Sequence, residues 1–357
     1  MRGPVEPEPV NAGGGKVLEF PTLFRRRILE DAMKYLTFAA GVFCASAAIA
    51  ETPELTIYTY DSFVSEWGPG PAVKAAFEAE CACTLNFVDA GDGAALLARL
   101  KLEGERTNAD IVLGLDTGLI SAAKDTGLFA PHAVSADYDL PIAWSDDVFV
   151  PYDWGYFAFV HNADLDAPTS FRALADSELK IVIQDPRSST PGLGLLLWVK
   201  SVFGDDAPAM WDDLSDNIVT VTKGWSEAYG LFLEGEADMV LSYTTSPAYH
   251  LIAEEDASKS AAHFDDGHYM QVEVAGKLAA SDQPDLADAF MAFMVSEGFQ
   301  SLIPTTNWMY PAVVPAAGLP DGFDTLVQPT KALLHPAENV PVIRAEALQE
   351  WLTALSK

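Results

Sequence analysis

The chain has 357 residues, a length typical of two domains, and its 49% hydrophobic residues, 23 prolines and 25 glycines are those of a globular protein. Lysine and arginine together number 21 against 52 aspartates and glutamates, so the formal net charge is −31 and the pI is near 4.3. This acidity argues against binding to phosphate backbones or anionic lipid surfaces and is compatible with a cationic ligand.

An uncharged apolar segment, Tyr35–Ile49, is the first element of the chain. It is roughly fifteen residues long, whereas a membrane span needs about twenty. Lys34 precedes it, and Ala48-Ile49-Ala50 is the small-x-small pattern that signal peptidase recognises. We therefore expect a secretory signal that is cleaved after Ala50, with Met33 as the true start, and export to the periplasm.

Two other interpretations of this segment stay open. Val42-Phe43-Cys44 resembles a lipoprotein box, although Phe43 stands where a small residue is needed. Arg25–Arg27 could belong to a twin-arginine signal, although the acidic residues that follow fit such a signal poorly.

Beyond residue 50, apolar periodicity alternates between strands and helices. In the first half it predicts the strand Leu55–Tyr60, a helix through Val73–Glu78, the strand Thr84–Val88, the helix Ala94–Glu103 and the strands Asp110–Leu115 and Tyr156–Val160. In the second half it predicts the strand Lys180–Gln184, the helix Gly192–Phe203, the strand Asn217–Val221, the helix Trp225–Glu234 and the strand Asp238–Tyr243. Such alternation predicts an α/β protein with parallel sheets and helices on both faces, and two such sheets fit the length.

Cys81 and Cys83 would be the only cysteines of the exported chain. An oxidising compartment makes a disulfide between them plausible, although the two-residue step demands tight geometry, and free thiols are the alternative. The sequence has no HExxH, GxSxG, P-loop or paired CxxC motif, so we predict neither a metal site nor an enzyme.

Ligands of open α/β sheets bind beyond the carboxyl ends of the strands. The segments that follow the predicted strands are Tyr60–Phe63, Asp92-Gly93, Leu115-Asp116, Asp185–Gly192 and Tyr243–Ser246, with Tyr249 close behind. They are rich in aromatic, hydroxyl and acidic side chains but contain no ordered catalytic set, which favours a binding site over an active site.

Eight motifs, in order, carry a family resemblance. They are YTYDSF (58–63), WGPGP (67–71), VLGLD (112–116), FVPYDWGYFAFV (149–160), QDPRSSTPGLGLLLW (184–198), VTKGWSEAYGLFL (221–233), LSYTTSPAYH (241–250) and NWMYP (307–311). From about residue 55 to residue 315 the chain resembles the periplasmic thiamine-binding proteins, the solute receptors of ABC-type thiamine importers.

The resemblance implies a type II periplasmic-binding-protein fold, in which two hinge-linked lobes close on thiamine or its phosphates. The lobes would comprise about 51–155 plus 270–306 and about 156–269 plus 307–357. The implied partners are an ABC permease and its ATPase. A monomer without a cofactor is expected.

The resemblance also implies an aromatic and a polar set of binding residues. The aromatic set is Tyr60, Trp225, Tyr243, Tyr249 and Trp308, and the polar set is Asp92, Gly93, Ser189, Thr190, Thr244, Thr245 and Ser246. Aromatic faces attract a cation such as the thiazolium of thiamine by about 0.5 to 2 kcal/mol per ring. The Asp92 carboxylate can accept from the exocyclic amine, and the helix start after Ser189 can hold a hydroxyl or a phosphate.

Each of these residues also has a structural interpretation. The aromatic side chains could be core residues, and Asp92, Ser189 and Thr190 could be helix caps. Asp61, Asp116 and Trp67 form a second group of candidates. The alternatives in function are a ferric-ion receptor, which shares the DPRSS motif but uses adjacent tyrosines that are missing here, a polyamine receptor and an exported hydrolase.

Overall fold

The computed structural model describes residues 52–356. The apolar segment Tyr35–Ile49, its cleavage site, Met33, Arg25–Arg27 and Cys44 therefore lie outside the described residues. Within the described part, no helix has both the length and the apolar character needed to cross a membrane.

The strands, in chain order, are β1 Glu54–Thr59, β2 Thr84–Asp89, β3 Ile111–Asp116, β4 Val150–Asn162, β5 Ile181–Gln184, β6 Ile218–Thr222, β7 Met239–Tyr243, β8 Lys259–Ala261, β9 His268–Lys277, β10 Tyr310–Pro311 and β11 Ala332–Leu333. The α-helices are α1 Asp61–Val64, α2 Gly70–Cys81, α3 Gly93–Glu103, α4 Ile120–Lys124, α5 Phe171–Ala175, α6 Thr190–Phe203, α7 Ala207–Leu214, α8 Trp225–Leu233, α9 Pro284–Phe293, α10 Glu297–Gln300, α11 Ile303–Thr306 and α12 Val340–Leu355. Short 3₁₀ turns cover Gly104–Arg106, Gly204–Asp206 and Phe323–Thr325, and a π-helical turn covers Tyr249–Ala253.

The α/β class and all of the predicted elements are confirmed, in most cases with boundaries shifted by no more than about three residues. The main exception is β4, which extends well beyond the predicted Tyr156–Val160 in the N-terminal direction. All of its residues except Trp154 and Asn162 are buried, because β4 runs through the middle of the molecule. The strand β9 and the helix α12 are further elements that the periodicity did not predict.

Two sheets share the strand β4. The first sheet has the order β2-β1-β3-β9 and ends on Val150–Tyr156 of β4, and the second begins with Phe157–His161 of β4 and continues through β7, β5 and β6. The outer strands of each sheet are parallel, as predicted. The prediction was wrong for the centre, where β4 and β9 run antiparallel to each other and to β7 and β3, respectively. The lobe boundaries given above stay a prediction.

A bulge in β3 makes room for the ring of Tyr60. The register of β3 against β9 shifts at Gly114, whose φ is 107°. A Cβ atom on Gly114 would lie 2.3 Å from Cδ1 of Tyr60. Glycine is therefore required here, both for the left-handed backbone and for the close packing of the Tyr60 ring on the strand.

Helices cover both faces of the sheets and bury the core. The apolar run TPGLGLLLWVK at the start of α6 is buried throughout, and α12 packs against α6 and α7. On the first sheet, Phe77 of α2 contacts Phe290 and Phe293 of α9 at ring-centroid distances of 5.0 and 5.2 Å. The disulfide between Cys81 and Cys83 is present, at the end of α2.

Candidate ligand-binding cleft

A cavity of about 320 Å³ lies where the carboxyl ends of strands from the two sheets face each other. Its aromatic wall residues are Tyr60, Trp67, Trp225, Tyr229, Tyr243, Tyr249 and Trp308. The other wall residues are Ser62, Asp92, Thr190, Pro191, Ser226, Gly230, Leu233, Ser246, Glu273, Thr306, Asn307 and Met309. This described wall holds two carboxylates and no lysine, arginine or histidine, so it suits a flat cation.

On the side of the first sheet, the wall is held by a hydrogen-bond network around Glu273. The Tyr60 hydroxyl lies 3.0 Å from Glu273 Oε2, and the Tyr152 hydroxyl donates to the same oxygen at 2.5 Å. Gln271 donates through Nε2 to Glu273 Oε1 at 3.3 Å. Glu273 lies in the middle of β9, and burial together with the nearby Asp116 raises its pKa to about 7.

A second carboxyl group lies directly behind this network. Asp153 of β4 is the cross-strand partner of Glu273 and is fully buried. Its Oδ2 accepts from Nδ2 of Asn307 at 2.6 Å, and its Oδ1 has no partner among the described residues. Burial and the neighbouring Glu273 raise the pKa of Asp153 well above its ordinary value.

On the side of the second sheet, aromatic rings are stacked in pairs. Trp225, the first residue of α8, stacks on Tyr229 at 5.0 Å and donates through Nε1 to the Ser242 hydroxyl at 2.7 Å. Tyr243, at the end of β7, stacks on Phe157 at 5.1 Å. These contacts fix the ring planes, so the rings are held in place before a ligand arrives.

Trp308 reaches the cavity from a strained backbone position. It lies just after α11, has a φ of 56°, and meets Tyr249 edge to face at 5.5 Å. Its N–H donates to the Ile303 carbonyl at 3.0 Å. Glycine or asparagine usually occupies such a left-handed position, and other residues lose about 1 kcal/mol or more there. The strain places the indole on the cavity wall.

Hydrogen bonds join the two sides across the cleft. Asp92, which precedes α3, accepts through Oδ2 from the Ser189 hydroxyl at 2.9 Å and from the Trp225 N–H at 3.0 Å. Gly93 donates its N–H to the Thr190 hydroxyl at 3.2 Å. A Cβ atom on Gly93 would lie 2.6 Å from that hydroxyl oxygen, so glycine permits this close approach.

The same contacts change the electrostatics of the cleft. Burial raises the pKa of Asp92 to about 6, although the hydrogen bonds from Ser189 and Trp225 favour its charged form. Asp61, the first residue of α1 and a further acid on the side of the first sheet, accepts a hydrogen bond from the Ser226 hydroxyl at 3.1 Å. The carboxylates of Asp61 and Asp92, both on the side of the first sheet, therefore lie at the start of α8.

The structure brings most of the predicted site residues together. The wall includes Tyr60, Asp92, Thr190, Trp225, Tyr243, Ser246, Tyr249 and Trp308, and also Trp67 from the second group. It does not include Gly93, Ser189, Thr244 or Thr245, and of the second group Asp61 and Asp116 are also outside it. Ser189, Thr244 and Thr245 are fully buried, and their contact with a ligand stays a prediction.

Sequence reasoning missed several wall residues, among them Glu273 and Asn307, which belong to the hydrogen-bond network on the side of the first sheet. Glu273 belongs to β9, whose sequence HYMQVEVAGK alternates apolar with polar residues between Met270 and Val274. That alternation could have predicted the strand, with Gln271 and Glu273 on one face. It would have indicated a solvent-exposed face, whereas both side chains are buried in the molecule.

One group of potential metal ligands occurs in the described chain, at His250, Glu254 and Asp256. Both ring nitrogens of His250 are engaged, Nε2 with the Tyr229 hydroxyl at 3.0 Å and Nδ1 with Glu254 at 2.7 Å. These hydrogen bonds account for the arrangement.

The chain matches a known protein family and curated relatives over most of its length. Residues 68–301 match the family model described as bacterial extracellular solute-binding protein. The chain is 52% identical to the thiamine-binding periplasmic protein of Escherichia coli K12, over 88% of this chain and 97% of the relative. It is 51% identical to the protein of the same name from Brucella abortus, over 91% of this chain and 99% of the relative.

Solved structures agree with these relatives. A structure named periplasmic thiamin binding protein superposes with a TM-score of 0.84 at 53% identity, covering 86% of this chain and 97% of that one. The ferric binding protein from Campylobacter jejuni, with a TM-score of 0.67 at 19% identity, covers 84% of this chain and 99% of its own and shares only the fold. The predicted periplasmic-binding-protein fold is confirmed.

Proposed function

We propose, because this chain belongs to the thiamine-binding periplasmic proteins within the bacterial extracellular solute-binding proteins, that it captures thiamine in the cavity between its two sheets. It is the solute-binding component of an ABC importer and not an enzyme. This role is supported by the side chains on the cavity wall, which are of the kinds that bind and orient a ligand.

The observation that carries the proposal is the composition of the cavity wall. Seven aromatic side chains and two carboxylates surround about 320 Å³, and the described wall contains no basic side chain. Thiamine offers a permanent thiazolium cation and a flat aminopyrimidine. Two or three well-placed rings contribute a few kcal/mol by cation–π attraction and stacking, and the carboxylates add to it because the site is shielded from water.

Asp92 and Thr190 form one polar corner of the cavity, because Ser189 donates to Asp92 and Gly93 donates to Thr190. Asp92 offers an acceptor for the exocyclic amine of the pyrimidine, because both hydrogen bonds that its carboxylate accepts in this structure end on Oδ2. Thr190, the first residue of α6, offers its hydroxyl and the positive end of a helix to a hydroxyl or a phosphate. We infer that one polar end of the ligand lies in this corner, with its rings against the aromatic wall.

The cellular context follows from the family. The protein would be exported by the N-terminal signal, act as a monomer in the periplasm and deliver its ligand to an ABC permease that is driven by its ATPase. Opening and closing of the cleft would change the surface that the permease contacts.

The test is a set of titrations of the purified exported protein with thiamine, its phosphates, Fe(III) and spermidine, followed by tryptophan fluorescence. Trp225 and Trp308 line the cavity, so we expect a saturable change with thiamine. A stoichiometric response to Fe(III) or spermidine without one to thiamine would overturn the proposal in favour of the corresponding alternative.

A further inference from the structure

Two acidic side chains are paired across the central strands behind the cavity. Asp153 of β4 and Glu273 of β9 stand directly opposite each other in the antiparallel ladder. Like charges in this position repel, and neither group is open to bulk water, with 0% and 6% of their surfaces exposed. Such an arrangement is costly unless something positive compensates for it.

The groups that face this pair carry no positive charge. They are Tyr60 after β1, Asp116 at the end of β3, Tyr152 of β4, Tyr243 of β7, Gln271 of β9 and Asn307 after α11. Tyr60, Tyr152 and Gln271 hydrogen-bond to Glu273, and Asn307 hydrogen-bonds to Asp153. Asp92, across the cavity, is a further acid. Arg344, in α12, acts on Asp116 and partly offsets the rise in pKa that burial causes in that carboxyl group.

Of the two carboxyl groups, only Glu273 lies on the cavity wall. Its Oε2 is held by two tyrosine hydroxyls, while Oε1 accepts a single long hydrogen bond, 3.3 Å from Gln271. The pair therefore places an acidic group, one of whose oxygens is weakly hydrogen-bonded, against the aromatic wall.

We propose that Glu273, together with Asp153, selects for positive charge in the ligand: the pair holds a proton until a cation enters the cleft, and the cation releases that proton to solvent. The inference rests on the proposed function, because it names the group that recognises the thiazolium. It adds a specificity-determining carboxylate to the aromatic residues and predicts that binding is coupled to pH.

The direction of the coupling follows from the same geometry. Burial and the neighbouring Asp116 raise the pKa of Glu273 to about 7 in the absence of a ligand cation. A thiazolium beside the carboxylate would favour the charged form and lower this pKa. Binding then releases part of a proton near neutral pH, and the affinity for thiamine rises as the pH increases through about 7 and levels off above it.

The first experiment compares thiamine with 3-deazathiamine, its neutral thiophene isostere, on the parent and on Glu273→Gln. We expect the parent to favour thiamine by about tenfold or more, and Glu273→Gln to lose most of this preference through weaker thiamine binding. Glu227→Gln removes an exposed acid of α8 that is not on the cavity wall and should leave the preference unchanged. A Glu273→Gln protein that keeps the full preference would overturn the inference.

The second experiment needs only the parent protein and remains valid if the variant fails to fold. Calorimetric titrations with thiamine in two buffers of different ionisation enthalpy, between about pH 6.5 and pH 8.5, measure the protons released. We expect release that declines toward the higher pH, and an affinity that rises with pH. No release and a flat affinity would overturn the inference, whereas a parent that does not bind thiamine at all would instead overturn the proposed function.

Discussion

The Asp92 carboxylate accepts a hydrogen bond from the backbone N–H of Trp225 at 3.0 Å. An acid on the side of the first sheet therefore caps the first turn of α8, which lies on the side of the second sheet. The two residues are 133 positions apart in the chain. Because helix N-termini carry a partial positive charge, this contact attracts the two sides of the cleft to each other. Asp92 therefore both lines the cavity and bridges it.

Removal of this bridge should weaken ligand binding. We expect Asp92→Ala to lower the affinity for thiamine by about tenfold, since a lost N-cap interaction alone is worth about 0.5 to 2 kcal/mol. Small-angle scattering should show a more open average shape in the variant. Glu80→Gln, which removes an exposed acid at the end of α2, is the control. Unchanged affinity and scattering in Asp92→Ala would contradict the bridge.

The aromatic wall predicts a difference between two substitutions of Tyr243. Tyr243→Ala should weaken thiamine binding by roughly 1 to 3 kcal/mol, because it removes the ring that stacks on Phe157 and faces the cavity. Tyr243→Phe keeps the ring and removes only the hydroxyl, so it should lose much less affinity. Gln271, which donates to that hydroxyl, also donates to Glu273 and keeps this second partner in the variant. Fluorescence titration measures both. Equal affinity in the parent and in a folded Tyr243→Ala protein would contradict the prediction.

The left-handed backbone of Trp308 allows strain to be separated from binding. Both Trp308→Gly and Trp308→Ala should lose affinity for thiamine, because both remove the indole from the wall. The Gly variant should nevertheless be more stable than the Ala variant by about 1 kcal/mol, since only glycine adopts a φ of 56° without strain. Thermal unfolding of the two variants measures the difference. An Ala variant that is more stable than the Gly variant would contradict the predicted backbone strain at Trp308.

Ser189 should act on all ligands equally. The sequence placed it beside a phosphate, but its hydroxyl is fully buried and donates to Asp92 at 2.9 Å. Ser189→Ala should therefore loosen Asp92 and weaken thiamine, its monophosphate and its diphosphate by similar factors of a few-fold. Parallel calorimetric titrations with the three ligands test this. A loss of affinity confined to the phosphorylated ligands would instead support a direct contact between Ser189 and the phosphate.

The buried acid pair should make stability depend on pH. The folded pKa of Glu273 is raised from 4.5 to about 7, so the folded protein binds more protons than the unfolded chain between these values. Its contribution to the free energy of unfolding is full below about pH 4.5 and is lost as the pH rises through about 7. Glu273→Gln should thus stabilise the ligand-free protein at about pH 8, by roughly 1 to 3 kcal/mol, and much less at about pH 5.

Denaturant unfolding of the parent and the variant at both pH values measures this difference. His268, whose pKa burial lowers to about 4, contributes a slope of opposite sign between about pH 4 and pH 6.5. It is present in both proteins, so the difference between them reports Glu273 together with its effect on Asp153. A difference that does not change with pH would contradict the prediction.

Local sequence patterns were sufficient to predict a strand or helix wherever that element has one buried face or a clear boundary. The strand before Tyr60 and the helix after Gly93 are examples, because periodicity and turn residues mark both. The central strands were harder. β4 and β9 are buried on both faces where the two sheets meet, so period-2 alternation does not describe their surroundings.

The sequence by itself determined the α/β class, the family and most of the aromatic wall, because these follow from local periodicity and from contiguous motifs. Only the tertiary structure decided that Asp153 faces Glu273 and that Asp92 caps the helix of Trp225. Periodicity tells which face of a strand is polar, but a polar face toward solvent and one toward a closed cleft have the same pattern. Pairing across more than a hundred residues depends on the register of the central strands, which no local sequence signal specifies.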